Sequence, residues 1–386
     1  MRRISVLLLI LLTFFASAAW PQAQSQSQRW QQKIITFDAP GAGTGAGQGT
    51  QANAVNLAGV VTGWYLDDNN VWYGFLRTAN GKIITFSAPG AGTGTYQGTG
   101  GWGITPAGEI TGDYVDVNCV EHGFIRKAHG EFMEFEAPGA GTTPSPCANG
   151  LWGGLQGTTP GDMNAAGEIA GIVMDANNVW HGFVRTPDGE FVTFEAPGAG
   201  TEAFQGTWVN FQEGLNGRGT ATGWYVDENY TDHGYMRKAD GKIATFDGPG
   251  EGVQYTAGLS TTWQGATVGP YLDAANLWHG FLRWPNGKIT TIDVPGAGTG
   301  AYEGTFPEAM NDEGIIAGNY IDTNGANHGF VLTPGGRITK FDAPGAGTGS
   351  GQGTVPYYVG ETGAVTGFFI DSSGVSHGFL AKPGNW

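Results

Sequence analysis

Positive charge is scarce in this chain. Its 386 residues hold 18 Lys and Arg against 34 Asp and Glu, a formal net charge of −16. Binding a phosphate backbone needs clustered cations. No such cluster is visible, which argues against nucleic acid and weakens the case for any anionic polymer. Cysteine is scarcer still, with Cys119 and Cys147 alone, so there is no Cys-x-x-Cys pair for redox or zinc. No His-Glu-x-x-His zinc helix, no P-loop and no Gly-x-Ser-x-Gly elbow is read in the chain. Beyond the N-terminus no run is apolar enough to span a membrane, and no 3.6-residue period runs along the chain. A helical repeat protein and an inserted membrane protein are both disfavoured.

What is plentiful is glycine, 69 residues, together with 47 aromatic residues (Trp 13, Tyr 13, Phe 21). Disordered low-complexity chains do not carry so many aromatics, so glycine here punctuates strands. The first residues have the grammar of a secretory signal. Arg2 and Arg3 precede an apolar core from Val6 to Phe15 and the small residues Ala16-Ser17-Ala18. A signal over 1–23, a flexible segment over 24–32 and one domain over 33–386 are expected. The exported product would be extracellular or periplasmic, monomeric and free of cofactors. Without Arg2 and Arg3 the formal charge becomes −18, from 16 basic and 34 acidic residues.

Two phrases organise the chain, each occurring seven times. Phe37-Asp38-Ala39-Pro40-Gly41 recurs at Phe86, Phe135, Phe194, Phe246, Ile292 and Phe341. Tyr73-Gly74-Phe75 recurs as His-Gly-Phe or His-Gly-Tyr at His122, His181, His233, His279, His328 and His377. One unit reads as four strands: A over Asn53 to Val55, B over Val60 to Asp67, C over Trp72 to Arg77 and D over Lys82 to Phe86. The turns Asn56-Leu57-Ala58-Gly59 and Thr78-Ala79-Asn80-Gly81 separate A from B and C from D. Four short strands per roughly 49 residues match a β-propeller blade. The ordered chain opens on the first phrase and closes on the second. The expected fold is therefore all-β, a seven-bladed β-propeller whose N-terminal strand, Lys33 to Phe37, completes the last blade.

The pattern Asn311-Asp312-Glu313-Gly314-Ile315-Ile316-Ala317-Gly318, followed by Asp322 and His328-Gly329-Phe330, resembles the HAF-type extracellular repeat proteins. That family of secreted bacterial proteins is named for a His-Ala-Phe signature. The resemblance implies export and a repeat fold, and brings no catalytic residue. This chain has Gly where the signature has Ala, Tyr73 in place of the first His, and no clear Asn-x-x-Gly turn in unit five.

An acid stands six residues before each second phrase: Asp67 before Tyr73, then Asp116–His122, Asp175–His181, Asp227–His233, Asp273–His279, Asp322–His328 and Asp371–His377. A site occurs once per molecule, so a pair in every unit is read as scaffold, with repeated cation loops as the other reading. Specificity is expected where units differ, at Asn53, Trp102, Trp152, Asp162, Trp208, Glu213, Glu308 and Tyr357. The crossovers between units add Tyr96, Phe204, Tyr255 and Tyr302. Aromatic rings with carboxylates and amides around a concave mouth suit a carbohydrate or another small polar ligand, including a cell-surface polymer. Two other classes stand beside a binding protein. One is a polysaccharide lyase or glycoside hydrolase using Asp162, Glu213 or Glu308; the other is a structural or adhesive exterior protein. Cys119 and Cys147 lie in loops of adjacent units on one face and are expected to form a disulfide.

Overall fold

The computed structural model describes residues 34–144, 146–147 and 154–382. The expected signal over 1–23, the segment 24–32, Lys33 and Trp152 lie outside them. The described residues hold 29 strands in seven four-stranded meanders, one strand of unit 5 being split in two, and no helix. Among the described residues, then, no helix is long and apolar enough to cross a membrane.

Unit 1 shows the pattern. Strand A (Gly49–Val55) pairs antiparallel with B (Val61–Leu66), B with C (Trp72–Arg77), and C with D (Ile83–Phe86). Strand A is longer than the sequence suggests and begins at Gly49. There the chain comes so close to the preceding unit that an added Cβ would lie 2.0 Å from the Ser376 carbonyl oxygen. Thr50 follows, and its hydroxyl accepts the Ala39 N–H at 2.9 Å. The recurrent Gly-Thr dipeptide is therefore the joint between units.

The same joint closes the ring. Each strand C meets the next strand A in one parallel bridge, Trp72 with Gly98 in unit 1 and Ser376 with Gly49 in unit 7. Strand Ile34–Phe37 pairs antiparallel with Ser376–Ala381, supplying the D strand that unit 7 lacks. The result is a closed, propeller-like all-β array.

Packing explains why the two phrases travel together. The phenylalanine after each His-Gly is wholly buried (Phe75, Phe124, Phe183, Phe281, Phe330 and Phe379, with Tyr235 in unit 4). The glycine between them makes room for the strand D ring, since a Cβ on Gly74 would meet Phe86 at 2.1 Å. Between units, the arginine ending strand C lies over the previous unit's strand D phenylalanine. Arg77 over Phe37 and Arg126 over Phe86 are both 4.9 Å from the ring centroid. In unit 6 the two residues change together, to Leu332 and Ile292 in one apolar cluster.

Unit 5 has a turn that the sequence hides. Thr262 replaces the usual asparagine, and the Gly265 N–H donates to the Thr262 carbonyl at 2.9 Å. Its strand A is split into Tyr255–Thr256 and Ser260–Thr261. Tyr255 thus begins a strand instead of lying in a crossover.

Candidate functional site

Five of the variable positions share one local structure. Asn53, Trp102, Asp162, Glu308 and Tyr357 each lie within a β-bulge of an innermost strand A, where the A–B register slips. A bulge leaves one residue unpaired and re-aims its side chain. Unit 4 departs from this, since its paired strand stops at Val209 and the chain continues through Asn210–Leu215.

That segment brings Glu213 (φ 52°) to the axis. Its carboxylate accepts the Ser260 hydroxyl at 2.9 Å and the N–H groups of Met310 at 2.8 Å and Val359 at 3.2 Å, from units 5, 6 and 7. Burial pushes Glu213 up to about 8 despite those bonds. Asp162 is pushed up to about 7, again by burial, and accepts the N–H groups of Met163 and Leu215. Asn53 is wholly buried and donates to the Gly101 carbonyl at 2.8 Å. Trp102, 4 % exposed, donates to Asp113 and packs on Phe211 at 5.3 Å. These four side chains hold the axis together.

Trp208 belongs to a wall instead. It lies 5.2 Å from both Trp180 and Trp224, and the series continues through Tyr255 and Trp278 to Phe306. All six rings are half-buried. The wall spans strands A, B and C of several units, so no single sequence motif marks it. Glu308 and Tyr357 are also half-buried. Among the described residues Glu308 has no hydrogen-bond or ion-pair partner, and burial alone pushes it up to about 8.

The loop-rich rim is built by the B–C loops and the crossovers. In every unit the loop aspartate accepts two backbone N–H groups; Asp67 takes those of Asn69 at 2.8 Å and Val71 at 2.9 Å. Histidine was expected to bond this aspartate. The contact is loose, 3.4–3.6 Å from Nε2. The closer partner is the acid just after strand D, as in His233 Nδ1 to Asp247 at 2.7 Å and His279 Nδ1 to Asp293 at 2.7 Å. No group of three or more His, Cys, Asp or Glu able to hold a metal ion occurs among the described residues. The Gly374-Val375-Ser376-His377-Gly378 spacing fits Gly-x-Ser-x-Gly, which the sequence reading passed over. It lies on strand C with no following helix, so Ser376 is not on a nucleophile elbow. Cys119 and Cys147 are joined at this rim, with Cα atoms 5.2 Å apart.

A rim position in unit 6 opens into a cleft. In units 1 and 3 a tryptophan starting strand C meets an aromatic residue of the next crossover, Trp72 with Tyr96 and Trp180 with Phe204, each at 6.1 Å. Unit 6 has Asn327 and Gly351 at these places. The missing rings leave a cleft of about 510 Å³ lined by Tyr302, Glu303, Thr323, Asn324, Asn327 and Ser350, among others. Tyr302 is 60 % exposed and sits at φ 61°, a backbone region that bulky residues rarely adopt.

No family model and no curated protein matches the chain. Solved structures do. Streptogramin B lyase aligns over 92 % of this chain and 99 % of its own, at 16 % identity and a TM-score of 0.51. The BP39L lectin from Burkholderia pseudomallei aligns over 87 % and 96 %, at 11 % identity and a TM-score of 0.52. At such identities the likeness is one of fold.

Proposed function

We propose that this chain is a secreted, seven-bladed β-propeller that binds carbohydrate at its loop-rich face. The observation that carries the reading is the unit 6 cleft, where an exposed tyrosine stands over amides, hydroxyls and a carboxylate. An aromatic face stacks on the apolar side of a sugar ring, and the surrounding polar groups read its hydroxyls. Seven meanders, joined by seven parallel bridges, support the blade count. The disulfide supports an oxidising destination. The lectin with a similar fold supports carbohydrate as the ligand class by analogy alone. Membership of the HAF-type repeat family belongs to the same proposal.

Binding fits better than turnover, because two of the three axial carboxyls, Asp162 and Glu213, are spent on backbone and hydroxyl groups. The test is retention of the mature protein on a panel of immobilised neutral polysaccharides, with new reducing or unsaturated ends assayed in parallel. Retention lost in Tyr302→Ala and Asn324→Ala, with melting unchanged, supports the proposal. New chain ends would replace it with a lyase or hydrolase. Neither retention nor cleavage across the panel would sink it.

A further inference from the structure

Glu308 is the one axial carboxyl without an internal role. Its strand, Gly304–Met310, is the innermost of unit 6, and Met310, two residues on, donates to axial Glu213. The phenols of Tyr255, from unit 5, and Tyr357, from unit 7, lie close enough to interact electrostatically with it. Trp278 stands 4.5 Å from Phe306 and 5.3 Å from Tyr255, and Tyr357 stands 5.0 Å from Phe368. Glu308 keeps accessible surface although it is withdrawn from bulk water. Glu308 and Tyr357, both half-buried, occupy equivalent bulges of neighbouring innermost strands. A half-buried carboxyl with no partner among the described residues is left able to accept an external one. Asp162 and Glu213, which share the axis, both have partners.

We propose that the space around Glu308, Tyr255 and Tyr357 is a binding site for a small alkylammonium ion. The ammonium group pairs with the Glu308 carboxylate while aromatic faces hold the cation and its alkyl chain. The strongly negative protein concentrates cations around itself. Without ligand Glu308 is protonated at neutral pH, since burial holds it at about 8. Pairing with a cation reverses that preference, so the carboxyl proton leaves to solvent as the ion enters. The other titratable groups facing this space are the two phenols, and Asp232 acts on Tyr255 from the unit 4 side. Both phenols are held well above their ordinary value by burial and stay neutral. A neutral ligand would leave the Glu308 proton in place, so proton release separates a cation site from a sugar subsite.

The experiment is calorimetric titration of butylammonium chloride into the mature protein at pH 7, in two buffers of different ionisation enthalpy. Saturable binding with nearly one proton released per ion is expected. The neutral isostere 1-butanol should not bind. Glu308→Gln should weaken the ammonium ion by at least about thirtyfold, whereas Tyr302→Ala at the rim should leave it unchanged. No saturable binding, binding without proton release, or equal binding by 1-butanol overturns the proposal. The proton count is read on the wild-type protein, so it stands even if Glu308→Gln folds poorly. Glycan retention at the rim is read separately, and either site can fail without the other.

Discussion

His377 and Asp38 are 339 residues apart in sequence and 2.8 Å apart in space, Nδ1 to Oδ1. Every other His-acid contact of this kind spans 14 residues inside one unit, as His328 to Asp342 does. The ring is thus closed by the same contact that builds each unit, along with the pairing of Ile34–Phe37 on Ser376–Ala381. Phe37 fits over Gly378, where a Cβ would meet its ring at 2.8 Å, and lies under Arg77. Deleting residues 34–37 should expose the edge of strand C in unit 7 and cause aggregation or a large drop in melting temperature. Phe37→Ala, at a half-buried ring, should cost about 2 kcal/mol, below the range for fully buried phenylalanine. Chemical denaturation measures both. A truncated chain that unfolds like the intact one would refute closure by this strand.

Unit 1 alone has tyrosine in place of histidine, and it alone lacks the acid, with Ser87 at that position. Two neighbouring positions thus change together within one chain. Tyr73→His alone would place an imidazole beside a hydroxyl. Adding Ser87→Asp recreates the pair of the other six units. The double-mutant cycle should show a favourable coupling of about 0.5–1 kcal/mol. Additive effects would show that the His-acid contact is incidental.

The Cys119–Cys147 bridge spans 28 residues. Loop-closure entropy gives it about 3.5 kcal/mol of stabilisation. Reduction should lower stability by that order, and the Cys119→Ser/Cys147→Ser variant should match the reduced protein. Thiol titration of the unreduced, denatured protein should find no free thiol. Two thiols per chain would remove the bridge.

The ring order and the bridge were legible because each rests on repetition or on chain order. Seven copies of two phrases, offset between the ends, locate the borrowed strand to within one residue. The variable positions were legible as positions, and Asn53, Trp102, Asp162, Glu308 and Tyr357 each occupy the equivalent bulge of their own unit. Their roles were not legible. Whether a carboxyl such as Glu213 takes two backbone N–H groups and a hydroxyl or stays unpaired, as Glu308 does, depends on what distant units place across the axis. The aromatic wall escaped for the same reason. Trp180, Trp208 and Trp224 come from different strands, set side by side by the A–B pairing of unit 4 and its bridge to strand C of unit 3. The loop aspartate six residues before each histidine does lie against it, but the closer acid, such as Asp247 or Asp293, was missed because its 14-residue spacing crosses a hairpin.

The axial carboxyls give the protein a pH dependence of definite sign. Burial raises Asp162 to about 7 and Glu213 and Glu308 to about 8, whereas in an unfolded chain they titrate near 4. Between about pH 4 and 8 the folded state holds protons that the unfolded state has released, so stability falls as pH rises through that window. His122 and His181 act in the same direction. Burial lowers His122, but Glu136 and Asp116 outweigh it, and the Glu195 hydrogen bond raises His181. Their contribution is also lost as pH rises above the ordinary histidine value. The loop aspartates oppose this on the acid side. Burial pushes Asp175, Asp322 and Asp371 up, yet their loop N–H bonds outweigh it and hold them low. That stability disappears as pH falls below about 4. The melting temperature should therefore peak near pH 5 and decline steadily toward pH 8.5. Glu308→Gln removes one titrating group and should flatten the decline by up to about 1.4 kcal/mol per pH unit between pH 5 and 8. Calorimetric melting of both proteins from pH 4 to 9 checks this, and a wild-type optimum above pH 7.5 would show that the axial carboxyls are ionised in the folded protein.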